Sequence, residues 1–381
     1  MEAITRRGLV GAGMFMGMTA LAGCGSQPPE PVEEDAESIE EPEPQESELA
    51  PEQLAIMEDG EPLSEAAISA NCALSQGFAT TDGHWDYICG GAGIYRLRPD
   101  GSELERVWEG DDFHTANDLC ATGGALYFAG CNVDGRNADT IFRMDTDSLD
   151  TEGIRSFPED SASGLDLVLA VIGGRVFFAD SHYDDNGATV FSTALDGSDE
   201  RELWSTVRSL PTYAFTEDAI WCAAGGADDP AIERFDLASL AAETLLDSSS
   251  GLTSVNRIVA IDNAIYFDAG LNGEPGIFKL EAGGEPVHVS SNHLLGAAGG
   301  YLYTYGSPGE RSLDVNYTFT RIDLATNEEV PFDYPEPYNT QNSSFQFYGF
   351  DSRLLINVGD RAYVVSPEGE TLFQYTFAPE G

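Results

Sequence analysis

Nine polar residues could do chemistry: His114, Asn117, Asp118, Asp166, Asn256, Arg257, Asn292, His293 and Gln346. Imidazole, amide, carboxylate and guanidinium groups together supply donors, acceptors and a fixed cation, the set from which a ligand site is assembled. The same residue types also cap strands and meet solvent in turns, so each has a structural reading beside the functional one. Familiar catalytic spacings are absent. The sequence has no G-x-S-x-G elbow, H-E-x-x-H pair or P-loop, and none of its five His residues has another four positions away. No catalytic residue and no metal ligand is therefore assigned. Asp180, His182, Asp184, Asp185 and Asn186 could offer donors to Ca²⁺, but they lack the EF-hand spacing and its closing Glu. A solvated hairpin tip is expected there, and no cofactor.

The elements that must hold these residues are short and repeated. An aromatic or β-branched strand ending in a polar turn recurs as IYRLRPDG, IFRMDTDS, VFSTALDG, IERFDLAS, IFKLEAGG, FTRIDLAT and AYVVSPEG, from Ile94 to Gly369. Ahead of each comes a second apolar run, HWDYIC, ALYFAG, RVFFAD, AIWCAA, AIYFDA, YLYTYG or RLLINV, itself preceded by a Gly-, Asp- or Asn-type turn that tolerates positive φ. In register before that turn fall Phe78, Leu119, Leu169, Tyr213, Ile258, Leu295 and Phe347, so each unit opens with a third apolar strand. A more polar fourth segment, such as LERVW or RELWS, follows the last turn. Four-stranded units recurring about every 45 residues predict a β-propeller, because a small twisted sheet buries both faces only when neighbours cover them. Seven blades are expected, with six or eight as the neighbouring ring sizes. In such a ring the blade-to-blade connections and the loops between strands two and three share one face. The nine residues fall at or near those connections, and the loops of blades two, three and six are the long ones.

Phe177-Phe178-Ala179-Asp180 followed by Leu195-Asp196-Gly197-Ser198 resembles the YWTD repeat of low-density-lipoprotein-receptor-type β-propellers. Partial matches are Ile94 and Arg96 with Asp100-Gly101-Ser102, Tyr127-Phe128, and Tyr266-Phe267-Asp268. Receptor propellers of this type usually have six blades, against the seven counted here. Bacterial lipoproteins of unassigned function carry similar repeats, and the resemblance implies a binding or interaction domain.

The propeller is assigned to residues 65–381. Residues 1–23 read as a signal peptide, with Arg6 and Arg7 ahead of an apolar stretch and Leu21-Ala22-Gly23-Cys24 at its end. Leu-Ala-Gly-Cys resembles the lipobox of bacterial lipoproteins, which implies that Cys24 is acylated and becomes the first residue of the mature chain. Thr5-Arg6-Arg7-Gly8-Leu9-Val10 also resembles a twin-arginine export signal. Residues 24–64 are rich in Pro and Glu and contain no Lys or Arg. Such a segment buries too little apolar surface to offset chain entropy and is expected to be a disordered stalk. It would span roughly 120 Å at about 3.1 Å per residue.

The formal net charge of −48, with Lys279 the single lysine, disfavours nucleic acid and anionic lipid headgroups as partners. Besides Cys24, the five cysteines show no C-x-x-C pair; one or two disulfides could form among Cys72, Cys89, Cys120 and Cys131, and Cys222 reads as a buried thiol. The sequence thus predicts a monomeric propeller, lipid-anchored to the cell membrane on its extracytoplasmic side. It is expected to act as a binding module for a protein or glycan. The alternative is a propeller hydrolase or lyase acting on a cell-surface or environmental glycan.

Overall fold

The computed structural model describes residues 79–376, except 91–92, 110–115, 123, 131–139, 157–162, 173, 183–186, 207–211, 216–218, 225–228, 238, 262–263, 307–317, 333–344, 351–352 and 359–360. The proposed signal peptide, Cys24, the acidic stalk, Cys72, Cys131, His114 and most of the long loops of blades two, three and six lie outside the described residues.

Seven four-stranded antiparallel sheets follow one another along the chain, each made of four consecutive strands. Blade 1 spans 79–109, blade 2 116–156, blade 3 163–206, blade 4 212–246, blade 5 252–290, blade 6 293–331 and blade 7 345–376. The first strands of neighbouring blades touch at six of the seven seams, including blade 7 with blade 1, and blades 3 and 4 meet through a shared hydrophobic cluster, so the ring is closed. The expected seven-bladed propeller is the fold. Among the described residues the non-strand regular structure is one 3₁₀ turn, Ser248–Ser250, and no helix is long and apolar enough to cross a membrane.

Strand alternation explains why the sheets stack. In blade 4 the second strand, Ala219–Ala224, is buried throughout. Ile220, Cys222 and Ala224 pack towards blade 3 beside Phe177 and Val190, while Ala219, Trp221 and Ala223 pack towards blade 5 beside Ile265 and Phe267. Every seam repeats this arrangement, giving seven hydrophobic clusters among the described residues, one between each pair of neighbouring blades. The core is therefore seven thin layers. Period-two patterning with both faces apolar is what such a layer requires. Outer strands are open on one side, as the exposed Ala241–Glu243 stretch of blade 4 shows.

A polar seam runs outside these layers. Donors on strands two and three of one blade reach carbonyls in the strand 3–4 turn of the next: Tyr127 Oη to Leu195 O (3.2 Å), Arg96 Nη1 to Thr146 O (2.7 Å), Tyr303 Oη and Arg321 Nη1 to Pro367 O (2.9 and 2.6 Å). The Asp-Gly turns are shaped for this approach. At Gly197, φ is +79° and an added Cβ would lie 2.2 Å from Ile154 O on the outer strand of blade 2. At Gly101, φ is +83° and the Cβ would enter the Phe373 ring on blade 7. The Leu-Asp-Gly-Ser repeat is thus a joint between blades as well as a turn.

Among the described residues every blade is built from consecutive strands, and no strand is exchanged where blade 7 meets blade 1. Side chains close that gap. Arg353, on the second strand of blade 7, grips the carboxylate of Asp86, on the second strand of blade 1, through Nη1 (2.6 Å) and Nη2 (2.8 Å), and also donates to Pro99 O (3.2 Å). Asp86 is 0% exposed. Tyr348, Leu355, Val364 and Tyr375 of blade 7 pack on Ile88 and Leu97 of blade 1 beneath this pair.

Candidate site in the ring opening

At the seam of blades 5 and 6, backbone irregularities bring polar groups together. The first strand of blade 5, Leu252–Ile261, pairs with the second, Ala264–Leu271, placing Arg257 opposite Asp268 and skipping Asn256 as an extra, bulged residue. A similar skip occurs between Leu294 and Gly296 on the first strand of blade 6, His293–Ala298. The first strands of blades 2 and 3 carry register shifts too, whereas those of blades 1, 4 and 7 are regular. Bulges re-aim side chains and are favoured beside functional sites.

Asp268 is the hub. Its side chain, on a residue only 4% exposed, accepts from Asn256 Nδ2 (3.3 Å) through Oδ1, and from His293 Nδ1 (3.0 Å) and the Leu294 amide (3.3 Å) through Oδ2. An ionised carboxylate offers only acceptors, so Nδ1 carries the proton in this pair and Nε2 is the nitrogen left for other contacts. The His293 side chain is 41% exposed. It lies against Tyr305, with ring centroids 5.0 Å apart and planes 30° from parallel, and Tyr305 is its register partner on the second strand of blade 6. The imidazole is thus fixed on one side by a buried carboxylate and on another by an aromatic ring. Its remaining edge is open.

Arg257 completes the group. Its guanidinium is walled by protein while still partly open to water, and this desolvation lowers its pKa from the ordinary value, opposed by Tyr348, Tyr305 and Asp268 nearby. Among the described residues it makes no hydrogen bond or ion pair. Other described cations are engaged: Arg155 with Glu200, Arg175 with Asp199, Arg234 with Asp236, Lys279 with Glu281, and Arg353 with Asp86. Arg321 has a backbone carbonyl, Pro367 O, in place of a carboxylate, whereas Arg257 has neither among the described residues.

Of the nine residues expected in the site, Asn256, Arg257 and His293 come together here. Asn292 does not join them. Its Nδ2 points across blade 6, within reach of Glu329 Oε1 (2.9 Å), Thr304 Oγ1 (3.3 Å) and Thr320 Oγ1 (3.4 Å), tying strands two, three and four. Asn117, Asp118, Asp166 and Gln346 lie within the first strands of blades 2, 3 and 7, as do Asn256 and Arg257 in blade 5. In blades 2, 3 and 5 the first strands therefore begin earlier than the hydrophobic pattern suggests, because a bulge breaks the alternation that marks a strand. Three contributors were not singled out from sequence: Asp268, Tyr305 and Tyr348. The signal for Asp268 was the acid ending the Tyr266-Phe267-Asp268 run, where a strand otherwise buried on both faces carries a charge.

Asp180 and His182 lie on the second strand of blade 3, and Asp184, Asp185 and Asn186 lie outside the described residues. No group of three or more His, Cys, Asp or Glu among the described residues is placed to hold a metal ion. Cys222 is a fully buried thiol whose pKa burial raises well above its ordinary value, with Glu233 adding to the shift.

No family model matches the chain, and no curated protein matches it. Solved structures do. A puromycin-hydrolysing peptidase of Mycobacterium tuberculosis aligns with a TM-score of 0.58 at 13% identity, over 83% of this chain and 55% of its own. A prolyl endopeptidase aligns at 0.57 and 11% identity, over 86% and 53%. An oligogalacturonate lyase in complex with manganese aligns at 0.51 and 13% identity, over 72% and 82%. The chain spans about half the length of the two peptidases, and at these identities the shared feature is the β-propeller fold.

Proposed function

We propose that this chain is an exported, lipid-anchored propeller that presents the opening of its ring, on the face carrying the start of the first strand of blade 6, as a ligand-binding site. Cys24 bears the lipid and the acidic stalk holds the ring away from the membrane. The observation supporting a binding site is the Asp268–His293–Asn256 network beside Arg257, which has no partner among the described residues: polar groups pre-oriented by part-buried hydrogen bonds, with the His293 side chain 41% exposed. Preorganisation of this kind lowers the cost of binding. The test is capture of partners on the purified full-length chain, repeated with His293→Ala and Arg257→Ala. Loss of one buried polar contact to a ligand weakens affinity roughly five- to 150-fold. Partners held equally well by wild type and both variants would place the site elsewhere. For the anchor, Cys24→Ser protein should leave the membrane fraction or remain unprocessed; correct processing with retention in the membrane would remove Cys24 from that role.

One feature favours a second reading, an enzyme acting on a glycan. A His whose Nδ1 is held by a buried carboxylate and whose side chain is 41% exposed has the arrangement of a general base. The lyase of the same fold acts, by its name, on oligogalacturonate. Turnover of an oligosaccharide that falls at least 100-fold in His293→Gln protein, with folding intact, would promote this reading.

A further inference from the structure

We infer that the ligand of this opening carries a carboxylate, taken by Arg257, with its remaining body resting against Tyr305. The inference rests on the ring opening being a ligand site and names the chemistry that fits it. Three observations carry it. First, Arg257 makes no hydrogen bond or ion pair among the described residues, although acids far outnumber bases in the chain and the other described cations have found partners. A half-buried guanidinium without a protein acceptor keeps its planar fork of N–H donors for water or for an anion that displaces it.

Second, Asp268, the nearest acid by register, does not serve that purpose. It sits opposite Arg257 across the strand pair, yet both its oxygens are turned to Asn256, His293 and the Leu294 amide. Its charge favours the guanidinium from nearby without occupying the fork. Third, the walls are amphipathic. Tyr305 and Tyr348 are the phenols that act on Arg257 electrostatically, and the Tyr305 ring is held against His293. Aromatic rings with polar edges take sugar rings or small aromatic bodies while their hydroxyls hydrogen-bond.

The charge count separates a carboxylate from a phosphate or sulfate. One guanidinium neutralises one charge and matches a planar carboxylate in bidentate fashion. A dianion would need a second cation, and the described groups acting on Arg257 are two phenols and a carboxylate. Salt dependence separates an acidic ligand from a basic one. Raising ionic strength from 0.01 to 0.15 M shortens the Debye length from about 30 to about 8 Å. That screens the repulsion of distant surface acids more than the contact with a desolvated guanidinium. A carboxylate ligand should therefore hold its affinity or tighten as salt rises, whereas a cation attracted by the acidic surface should weaken.

The experiment is ligand-observed NMR and calorimetric titration of the full-length chain with galacturonate, N-acetylneuraminate and benzoate. Each acid is paired with a neutral counterpart: galactose, the methyl ester and benzamide. Inorganic sulfate and phosphate are run alongside. At least one acid should bind, about ten- to 100-fold more tightly than its counterpart. Arg257→Met should abolish that preference, and Arg257→Lys, which keeps the charge without the fork, should keep part of it. Circular dichroism of both variants checks folding. Neutral counterparts binding as well as the acids, with loss only in His293→Ala or Tyr305→Ala, would overturn the carboxylate and leave the ligand site standing. Sulfate or phosphate binding more tightly than every carboxylate would do the same. Binding by none of the probes would count against both the carboxylate and the site.

Discussion

With no strand exchanged between blades 7 and 1 among the described residues, the buried Arg353–Asp86 pair is the polar contact that joins their second strands. Replacing Arg353 by Met removes two charge-assisted bonds, at 2.6 and 2.8 Å, together with the contact to Pro99 O, and leaves Asp86 as a carboxylate with no exposed surface. Breaking a buried pair from one side costs about 3–5 kcal/mol, because the remaining buried charge loses its counterion. Unfolding entropy of about 2.1 cal/mol/K per residue, over a ring of roughly 300 residues, is about 0.6 kcal/mol/K near the midpoint. The melting temperature should therefore fall by about 5–8 °C, measured by circular dichroism at neutral pH. Removing both partners is the decisive control. Arg353→Met combined with Asp86→Leu leaves no buried charge, and well-packed apolar replacement of such a pair is often neutral or stabilising. The double variant should recover most of the loss, since Tyr348, Leu355 and Val364 of blade 7 still pack on Ile88 and Leu97 of blade 1. A single variant melting within a degree of wild type would refute the reasoning. So would a double variant as unstable as the single one.

Two further outcomes follow from the turns. Gly197→Ala meets both a positive φ and the Ile154 carbonyl, so it should destabilise by at least about 1–3 kcal/mol in thermal unfolding. Gly83→Ala, where φ is +88° but nothing lies within 4 Å, should cost about 1 kcal/mol; equal losses at the two sites would mean that the blade contact is unimportant. The turn carboxylates Asp145, Asp196 and Asp323 are held below the usual range by hydrogen bonds, Asp145 and Asp323 chiefly from backbone amides and Asp196 chiefly from the Ser198 hydroxyl. A depressed folded pKa gives stability that is present above the unfolded value of about 3.9 and lost as pH falls through the folded one. Melting temperature should drop as pH is lowered from about 4 towards 2, and Asp145→Asn protein, which keeps an acceptor that cannot titrate, should show a shallower drop; identical slopes would remove Asp145 from this account.

Much of the fold was legible in one dimension because a propeller is assembled from local hairpins. Strand, turn and strand are adjacent in sequence, so the alternation of Ile220, Trp221 and Cys222, or the Asp196-Gly197 turn, reports the structure directly. Repetition then implies stacking, since a sheet with two apolar faces needs a neighbour on each side. The candidate site was legible only in part. Asn256, Arg257 and His293 are polar where apolar residues alternate, and that contrast is visible in the sequence. What joins them is not, because Asp268 and Tyr305 belong to second strands whose registers are displaced by bulges at Asn256 and Leu295. The pairing of Arg353 with Asp86 was hidden for a different reason. The two residues are 267 positions apart and meet only because the ring closes on itself. The blades and their patterned faces could be read from residues adjacent in the chain, with seven blades expected and six or eight left open until the ring was seen closed. Which cations are paired, and that Arg257 has no partner among the described residues, emerged only from the folded ring, since that depends on where distant carboxylates come to rest.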